Sequence, residues 1–252
     1  MSTLAVVILA GNEEQNITGA VENAKQCTDH VIVVNSGSTD KTVELAEKAG
    51  AAVVFRKWDD DFSAQRNFSL TQTDTDWILY LDADERLTPT AVEGVRKILQ
   101  NGVMDKQYAI KRKSVAFGKT FNYGVLYPDH VLRMFPRTKV KWVNKVHERP
   151  ICDLPRENLP GYMEHHTYRD WHAWEQKLCL YTTVWAENAY EHGKRTSLGS
   201  IFGHSLGGFF KMFILHRGFL DGWLGTYMCC NHFFYTMLKY LKLYELQKKG
   251  NQ

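Results

Sequence analysis

Over the first hundred residues, short apolar runs alternate with stretches of helical spacing. Residues 4–9, 31–34, 52–55 and 77–81 read as buried strands. Asn12 is placed to cap a helix reaching about Lys25, with Glu13 and Glu14 in its first turn. Ser38 or Thr39 caps a second helix that has Asp40 in its first turn and ends at Gly50. Residues 62–70 form a third helical stretch, and Thr88-Pro89 opens a fourth in the cap-then-proline order. This alternation predicts a mainly parallel α/β sheet flanked by helices, with ligands beyond the carboxyl ends of its strands. After about residue 105 the pattern turns irregular, with strands expected near 108–112 and 131–135, and from about Trp171 it is helical. The Pro- and Gly-containing stretch 150–161 marks the expected boundary. It separates an α/β domain (1–160) from a mainly helical C-terminal region (161–252).

Charge adds a difference between these halves. The chain has 252 residues and a net charge of +3. Residues 192–252 carry eight Lys/Arg against Asp221 and Glu245, a balance of +6, and the remainder is −3. Twelve aromatics lie between Phe202 and Tyr244, and basic charge at that aromatic density points to an anionic surface. Asn231, His232 and Lys239 interrupt the most apolar stretch there, so no clean membrane span is expected. The five cysteines form no C-x-x-C pair and no disulfide framework, and no signal peptide opens the chain. The expectation is a reduced, cytoplasmic protein.

Several segments could carry chemistry. Asp82 and Asp84 in Asp82-Ala83-Asp84-Glu85 follow a strand run, and at i and i+2 their carboxylates share a side. Such a pair can hold Mg²⁺ or Mn²⁺ with positions left for phosphate oxygens, or it can be a polar loop before the next helix. Asn35-Ser36-Gly37-Ser38-Thr39-Asp40 is a strand–turn–helix that can take a nucleoside or simply cap well. Arg66 can reach a base or phosphate, or lie solvated. His147-Glu148 lacks the second histidine of a zinc protease, because position 151 is Ile and Pro150 breaks the required helix. It leaves Glu148 as a candidate general base or a surface residue. His165-His166 lacks zinc spacing; these are structural histidines or include one metal ligand. Gly203-His204-Ser205-Leu206-Gly207 spells a nucleophile elbow, with Asp221 and His232 in the order a serine hydrolase needs. The segment before it is a poor strand.

Taken together, the ordered segments resemble the family 2 glycosyltransferases of GT-A fold. The residues that carry this are the first strand with Asn12-Glu13-Glu14, Ser36-Gly37-Ser38-Thr39-Asp40, Gln65-Arg66-Asn67 and Leu81-Asp82-Ala83-Asp84-Glu85. Tyr127-Pro128-Asp129, Arg133-Met134-Phe135, His147-Glu148, His165-His166-Thr167-Tyr168 and the tail around Phe209–Gly222 resemble the branch that builds the lipopolysaccharide inner core, its heptose β-1,4-glucosyltransferases. The resemblance implies a metal-dependent, inverting transfer of a hexose, glucose from UDP-glucose, onto a lipopolysaccharide core heptose. Mg²⁺ or Mn²⁺ would be the cofactor and nucleic acid is no partner. The place would be peripheral, on the cytoplasmic face of the inner membrane. It further implies Glu13 near the nucleotide, Asn35 and Arg66 facing the base, Asp82 on ribose or metal, Asp84 and His165 on the metal, and Glu148 as catalytic base. Asn35 departs from the Asp usual at that position. The competing classes are the serine hydrolase on Ser205, an aspartyl phosphatase and a non-catalytic membrane-bound scaffold.

Overall fold

A computed structural model describes residues 1–145 and 148–249; His147, half of the His-Glu pair, lies outside the described residues. Strands β1 (Leu4–Ala10), β2 (Val31–Asn35), β3 (Ala52–Phe55) and β4 (Trp77–Asp82) lie parallel in the order β3-β2-β1-β4. Their apolar runs are unbroken because both faces are covered. Leu4, Val6 and Ile8 enter one core with Val33, Leu79 and Leu81, while Ala5 and Val7 enter another with Ile32, Ile78 and Tyr80. Helices α1 (Ile17–Lys25), α2 (Thr42–Lys48), α3 (Phe62–Ser69) and α4 (Pro89–Asn101) connect these strands and follow them. Ile17, Ala20, Val21 and Ala24 of α1 pack into the first core with Ala91 and Val95 of α4, and Phe68 of α3 packs against the second.

Two helix starts differ from the sequence pattern. Asn12 does not cap α1, which begins five residues later. Asn12 adopts a left-handed φ of 56° and its Oδ1 accepts the Thr39 amide. Helix α2 begins at Thr42, where Asp40 Oδ1 accepts both the amide and the hydroxyl of Thr42. Ser38 Oγ instead accepts the Asn12 amide. Side chains that look like local caps are bonded between loops.

The rest of the sheet comes from β5 (Glu85–Leu87), β6 (Gln107–Ala116), β8 (Asp129–Pro136), β11 (Arg156–Asn158) and β12 (Met163–Tyr168). A short β7 (Lys119–Thr120) pairs with the end of β6. Strand β8 joins β4 antiparallel, and the order runs on as β4-β8-β6-β12-β5, so one half of the sheet is parallel and the other mixed. A separate hairpin pairs β9 (Lys141–Val143) with β10 (Arg149–Ile151).

The chain divides into two compact units, Met1–Arg112 with Asp129–His165, and Lys113–Pro128 with His166–Gln252. The second holds α5 (Trp171–Glu191), α6 (Leu198–Phe210), a π-helical stretch Lys211–Leu215 and α7 (Gly222–Lys249). Phe121, Trp174, Leu224 and Met228 form one of its cores, and Ala186, Ile201, Tyr240 and Leu243 another. The hydrolase alternative fails here. Ser205 is fully buried inside α6, with no strand before it, and its Oγ donates to the Ile201 carbonyl at 2.8 Å. Asp221 instead accepts the amides of Asn122 and Tyr123.

Within the first unit, Gly161 closes the turn onto α4 with a φ of +78°, and a Cβ there would lie 2.6 Å from the Ala91 nitrogen. Substituting Gly161→Ala should cost upward of ~1 kcal/mol, since both the backbone region and the packing resist it. Urea unfolding measures this, and an unchanged midpoint would contradict the packed turn.

Candidate active site

The loop after β1 and the turn after β2 are bonded to each other residue by residue. Glu13 N–H donates to Thr42 Oγ1 at 2.7 Å, Glu14 N–H to Asp40 Oδ2 at 3.1 Å, and Lys41 N–H to Glu14 Oε2 at 3.2 Å. Arg86 ties the loop after β4 to this assembly, donating to the carbonyls of Ala83 at 2.8 Å and Asn16 at 2.7 Å. A cavity of about 510 Å³ opens at these strand ends; Gly11, Glu13, Gly37, Gln65, Asp82 and Asp84 are among its walls. Loops that carry so many mutual bonds present a preformed cleft, as small-ligand sites commonly do.

Each residue of Gln65-Arg66-Asn67 has a separate duty. Gln65 is buried, and its amide nitrogen donates to the carbonyls of Arg56 and Lys57, which fixes its orientation. Its Oε1 has no partner among the described residues. Asn67 exchanges two hydrogen bonds with the Trp142 backbone, anchoring α3 to β9. Arg66 is 3% exposed, its guanidinium lying 5.1 Å from the Tyr80 ring centre and 4.7 Å from that of Trp142. Its Nη2 reaches Asp82 Oδ1 at 3.3 Å and Glu148 Oε1 at 3.4 Å.

The other Asp82 oxygen, Oδ2, is held by Arg133 at 2.7 Å. The same Arg133 Nη2 lies 2.6 Å from Glu85 Oε1, and Glu85 Oε2 accepts the Asp82 amide at 3.0 Å. Desolvation works against ionised Asp82, but Arg133 and then Arg66 outweigh it and hold the carboxyl well below its usual range. Glu85 is fully buried. Loss of water, with the Asp82 charge beside it, pushes its carboxyl up against the pull of Arg133. Desolvation also opposes the charge on Arg133, yet Asp82 and Glu85 together keep the guanidinium firmly protonated.

Asp84 is built differently. Its Oδ2 lies 3.2 Å from His165 Nε2, and both side chains are about a quarter exposed (26% and 24%). The pairing of β5 with β12 brings them together, with Glu85 opposite His165. No group of three His, Cys, Asp or Glu side chains gathers as a metal site among the described residues. One carboxylate and one imidazole suit a divalent ion that takes its remaining ligands from phosphate oxygens and water.

A second recess, of about 330 Å³, adjoins the first through their shared wall residue Asp82; Arg66, Arg112, Arg133, Arg156 and Glu148 also line it. The structure therefore gathers Glu13, Asp82 and Asp84 on the first cavity and Arg66, Asp82 and Glu148 on the second. The two residues expected to face the base have these surroundings. Asn35 Oδ1 accepts the amides of Gly37 at 3.1 Å and Ser38 at 2.9 Å, and Arg66 points into the second recess. Sequence reasoning assigned no role to Arg133, Glu85, Gln65 or Trp142. Arg133 and Glu85 stand inside Arg133-Met134-Phe135 and Leu81-Asp82-Ala83-Asp84-Glu85, but their pairing spans 48 residues and only the β4–β8 contact makes it.

The model of glycosyl transferase family 2 matches residues 5–149. Uncharacterized glycosyltransferases of Rickettsia typhi and Rickettsia bellii are 24% and 27% identical to the chain, over 99% and 98% of it and 89% and 88% of their own lengths. Glycosyltransferase SunS of Bacillus subtilis is 30% identical over 59% of this chain and 35% of its own. Glucosyl-3-phosphoglycerate synthase of Mycobacterium tuberculosis, solved with Mn²⁺, UDP-glucose and phosphoglyceric acid, aligns at a TM-score of 0.44 and 20% identity. That alignment covers 78% of this chain and 82% of the other, and a similarity of that size fixes no residue correspondence.

Removing Arg133 would strand Glu85 in the interior. Arg133→Leu should lower stability by about 3–5 kcal/mol, and the double variant with Glu85→Leu should recover part of that loss. Urea denaturation of the two singles and the double measures the coupling; additive losses would show that the pair is not one buried unit.

Proposed function

The chain belongs to glycosyl transferase family 2, and from that membership and its strand-end geometry we propose that it transfers a hexose, glucose from UDP-glucose, onto a heptose of the lipopolysaccharide core with inversion. The observation that carries this reading is the pair of cavities meeting at Asp82, one with Asp84 on its wall and the other with Glu148. A two-substrate transfer needs a donor pocket and an acceptor pocket that touch at the reacting carbon. The core-branch likeness of the tail around Phe209–Gly222 supports the choice of acceptor.

Gln65 supports a uracil base. Gln65 is on the wall of the first cavity and its buried Oε1 has no partner among the described residues; a uracil imide N–H that reached it on donor binding would satisfy it. Asp84 and His165 are the residues that would hold Mg²⁺ or Mn²⁺, which supplies charge neutralisation to the departing diphosphate. Asp82 is already committed on both oxygens to Arg66 and Arg133, so its role is to fix the cluster and to accept from a ribose or sugar hydroxyl at the cavity mouth.

The proton moves through Glu148. The acceptor hydroxyl oxygen attacks the anomeric carbon from the face opposite the diphosphate and gives its proton to a Glu148 carboxylate oxygen. The bond from that carbon to the phosphate oxygen breaks, and the diphosphate leaves with the electron pair. Arg66 orients Glu148 from behind through a contact of 3.4 Å, loose enough to leave the carboxylate open to the hydroxyl.

Replacing Glu148 with Gln should reduce turnover by roughly 10²–10⁴-fold, the usual worth of a general base, while UDP-glucose binding in a calorimeter stays as in the wild type. Turnover at the wild-type rate would remove Glu148 from the chemistry. In the same calorimeter, Asp84→Ala should abolish the increment in UDP-glucose binding that Mn²⁺ confers, and an undiminished increment would reject Asp84 as the ligand.

A further inference from the structure

The second unit carries a feature that sugar transfer does not use. Along α6, Leu198, Phe202, Leu206 and Phe210 recur every four residues and are each about half exposed, between 49% and 55%. Gly199, Gly203 and Gly207 fill the adjoining positions, where an added Cβ would meet nothing within 4 Å. That helix face therefore shows water only hydrocarbon and backbone. In the same unit Leu215 and Trp223 are each 75% exposed. Leu198–Leu215 has a mean hydropathy of 1.3, yet only 11% of it is buried. The sequence pattern placed the most apolar stretch further on, where Asn231, His232 and Lys239 interrupt it. In the structure the unbroken stretch is this earlier one, with Lys211 its only charged residue. Apolar patches of this extent on a folded surface mark interaction sites.

Beside this face lies a recess of about 330 Å³ between α6 and α7, lined by His204, Lys211, His232, Thr236 and Lys239, with no carboxylate among its described lining residues. Lys239 sits over aromatic rings, 4.7 Å from the centre of Trp185 and 5.4 Å from that of Tyr235. Desolvation, then Lys239 and Lys211, push the His232 imidazole down, and desolvation with Lys194 pushes Lys239 down. Lys211 and Lys239 are the charged groups at this opening, and its described lining offers them no anion. The His232 ring lies against α6 at Gly208, 3.4 Å from where a Cβ would stand.

We propose that the recess between α6 and α7 binds the phosphate of an anionic lipid headgroup, and that the bare face of α6 lies in the adjoining apolar layer. Charge complementarity selects this occupant. Residues 192–252 carry a balance of +6 beside the apolar face, and an anionic bilayer answers both features at once. Free phosphate or nucleic acid would fill the recess and leave the hydrocarbon in water. The helix lies along the surface rather than crossing it, because its opposite side buries Ile201 and Ser205 within the unit.

Flotation of the full chain with vesicles tests this. Vesicles of equal parts phosphatidylglycerol and phosphatidylcholine should retain the protein, and phosphatidylcholine alone should retain far less. The double variant Lys211→Gln/Lys239→Gln should bind the mixed vesicles about 30-fold more weakly, roughly fivefold per cation removed. Lys211→Arg/Lys239→Arg should bind like the wild type, and Phe202→Ser/Leu206→Ser should lose retention on both vesicle types. UDP-glucose binding is read in parallel to show that the first unit is intact. Equal retention of the wild-type chain by both vesicle types overturns the phosphate site without recourse to any variant. Thermal stabilisation by inorganic phosphate, with no retention by the mixed vesicles, overturns the lipid as its source.

Discussion

The carboxylate of Asp82 is the joint on which the first unit turns. One oxygen is held by Arg66 and the other by Arg133, and each of those arginines is shared with a second carboxylate, Glu148 or Glu85. The charges alternate along this chain, so each buried ion has an opposite neighbour, which is the condition for keeping ions out of water at all. Strand β4 ends at Asp82, β8 supplies Arg133, α3 supplies Arg66, and Glu148 precedes β10. The cluster therefore pins four parts of the chain at one point. That point is also where the two cavities meet.

The local alternation of strands and helices was legible in the sequence because buried parallel strands need continuous apolar runs. In β1 and β4 alternate residues enter different cores, so the run up to the strand end is apolar. The mixed half of the sheet was less legible. Strand β8 opens with Asp129, His130 and half-buried Val131 and Leu132, and only its later residues are fully buried, so its sequence has no single period. Helix starts were misplaced where a capping type of side chain is spent elsewhere. Asn12, Ser38 and Asp40 have the chemistry of caps, but Asn12 and Ser38 bond across from one loop to the other, and Asp40, which precedes the N-cap position, accepts the Glu14 amide across the loops as well as the Thr42 amide. A single sequence shows the residue type and not the partner.

The candidate site divides along the same line. Asp82 and Asp84 are close in sequence and both reach the first cavity, but Asp84 stands in the turn after β4, so it is the turn and not extended-strand geometry that sets their relation. Pairings that depend on long-range strand order were not legible. Arg133 with Glu85 needs β8 beside β4, and Asp84 with His165 needs β12 beside β5. The hydrolase-like pentapeptide shows the converse hazard. Its residues match in type and spacing, but a helix at that place turns Ser205 inward to bond the carbonyl one turn earlier, a common fate for a serine in a helix.

Asn35 shows what the geometry changes about the donor pocket. Where the family usually has Asp, an amide removes a charge, and as a base contact that would weaken recognition. Here the Oδ1 already accepts two backbone amides of the turn, a task that an Asp oxygen would perform equally well. At this position the requirement is an acceptor that holds the turn open, and Asn satisfies it. On the proposed reading, the task of reading the base would pass to a side chain with capacity to spare. Gln65 has it: its nitrogen is fixed by two carbonyls, and its buried oxygen is unpartnered among the described residues on the cavity wall. A buried acceptor left without a donor costs about 1–3 kcal/mol, which a base N–H would restore on binding. On the proposed reading, selectivity for the base would lie one helix away from the turn where the motif alone would place it.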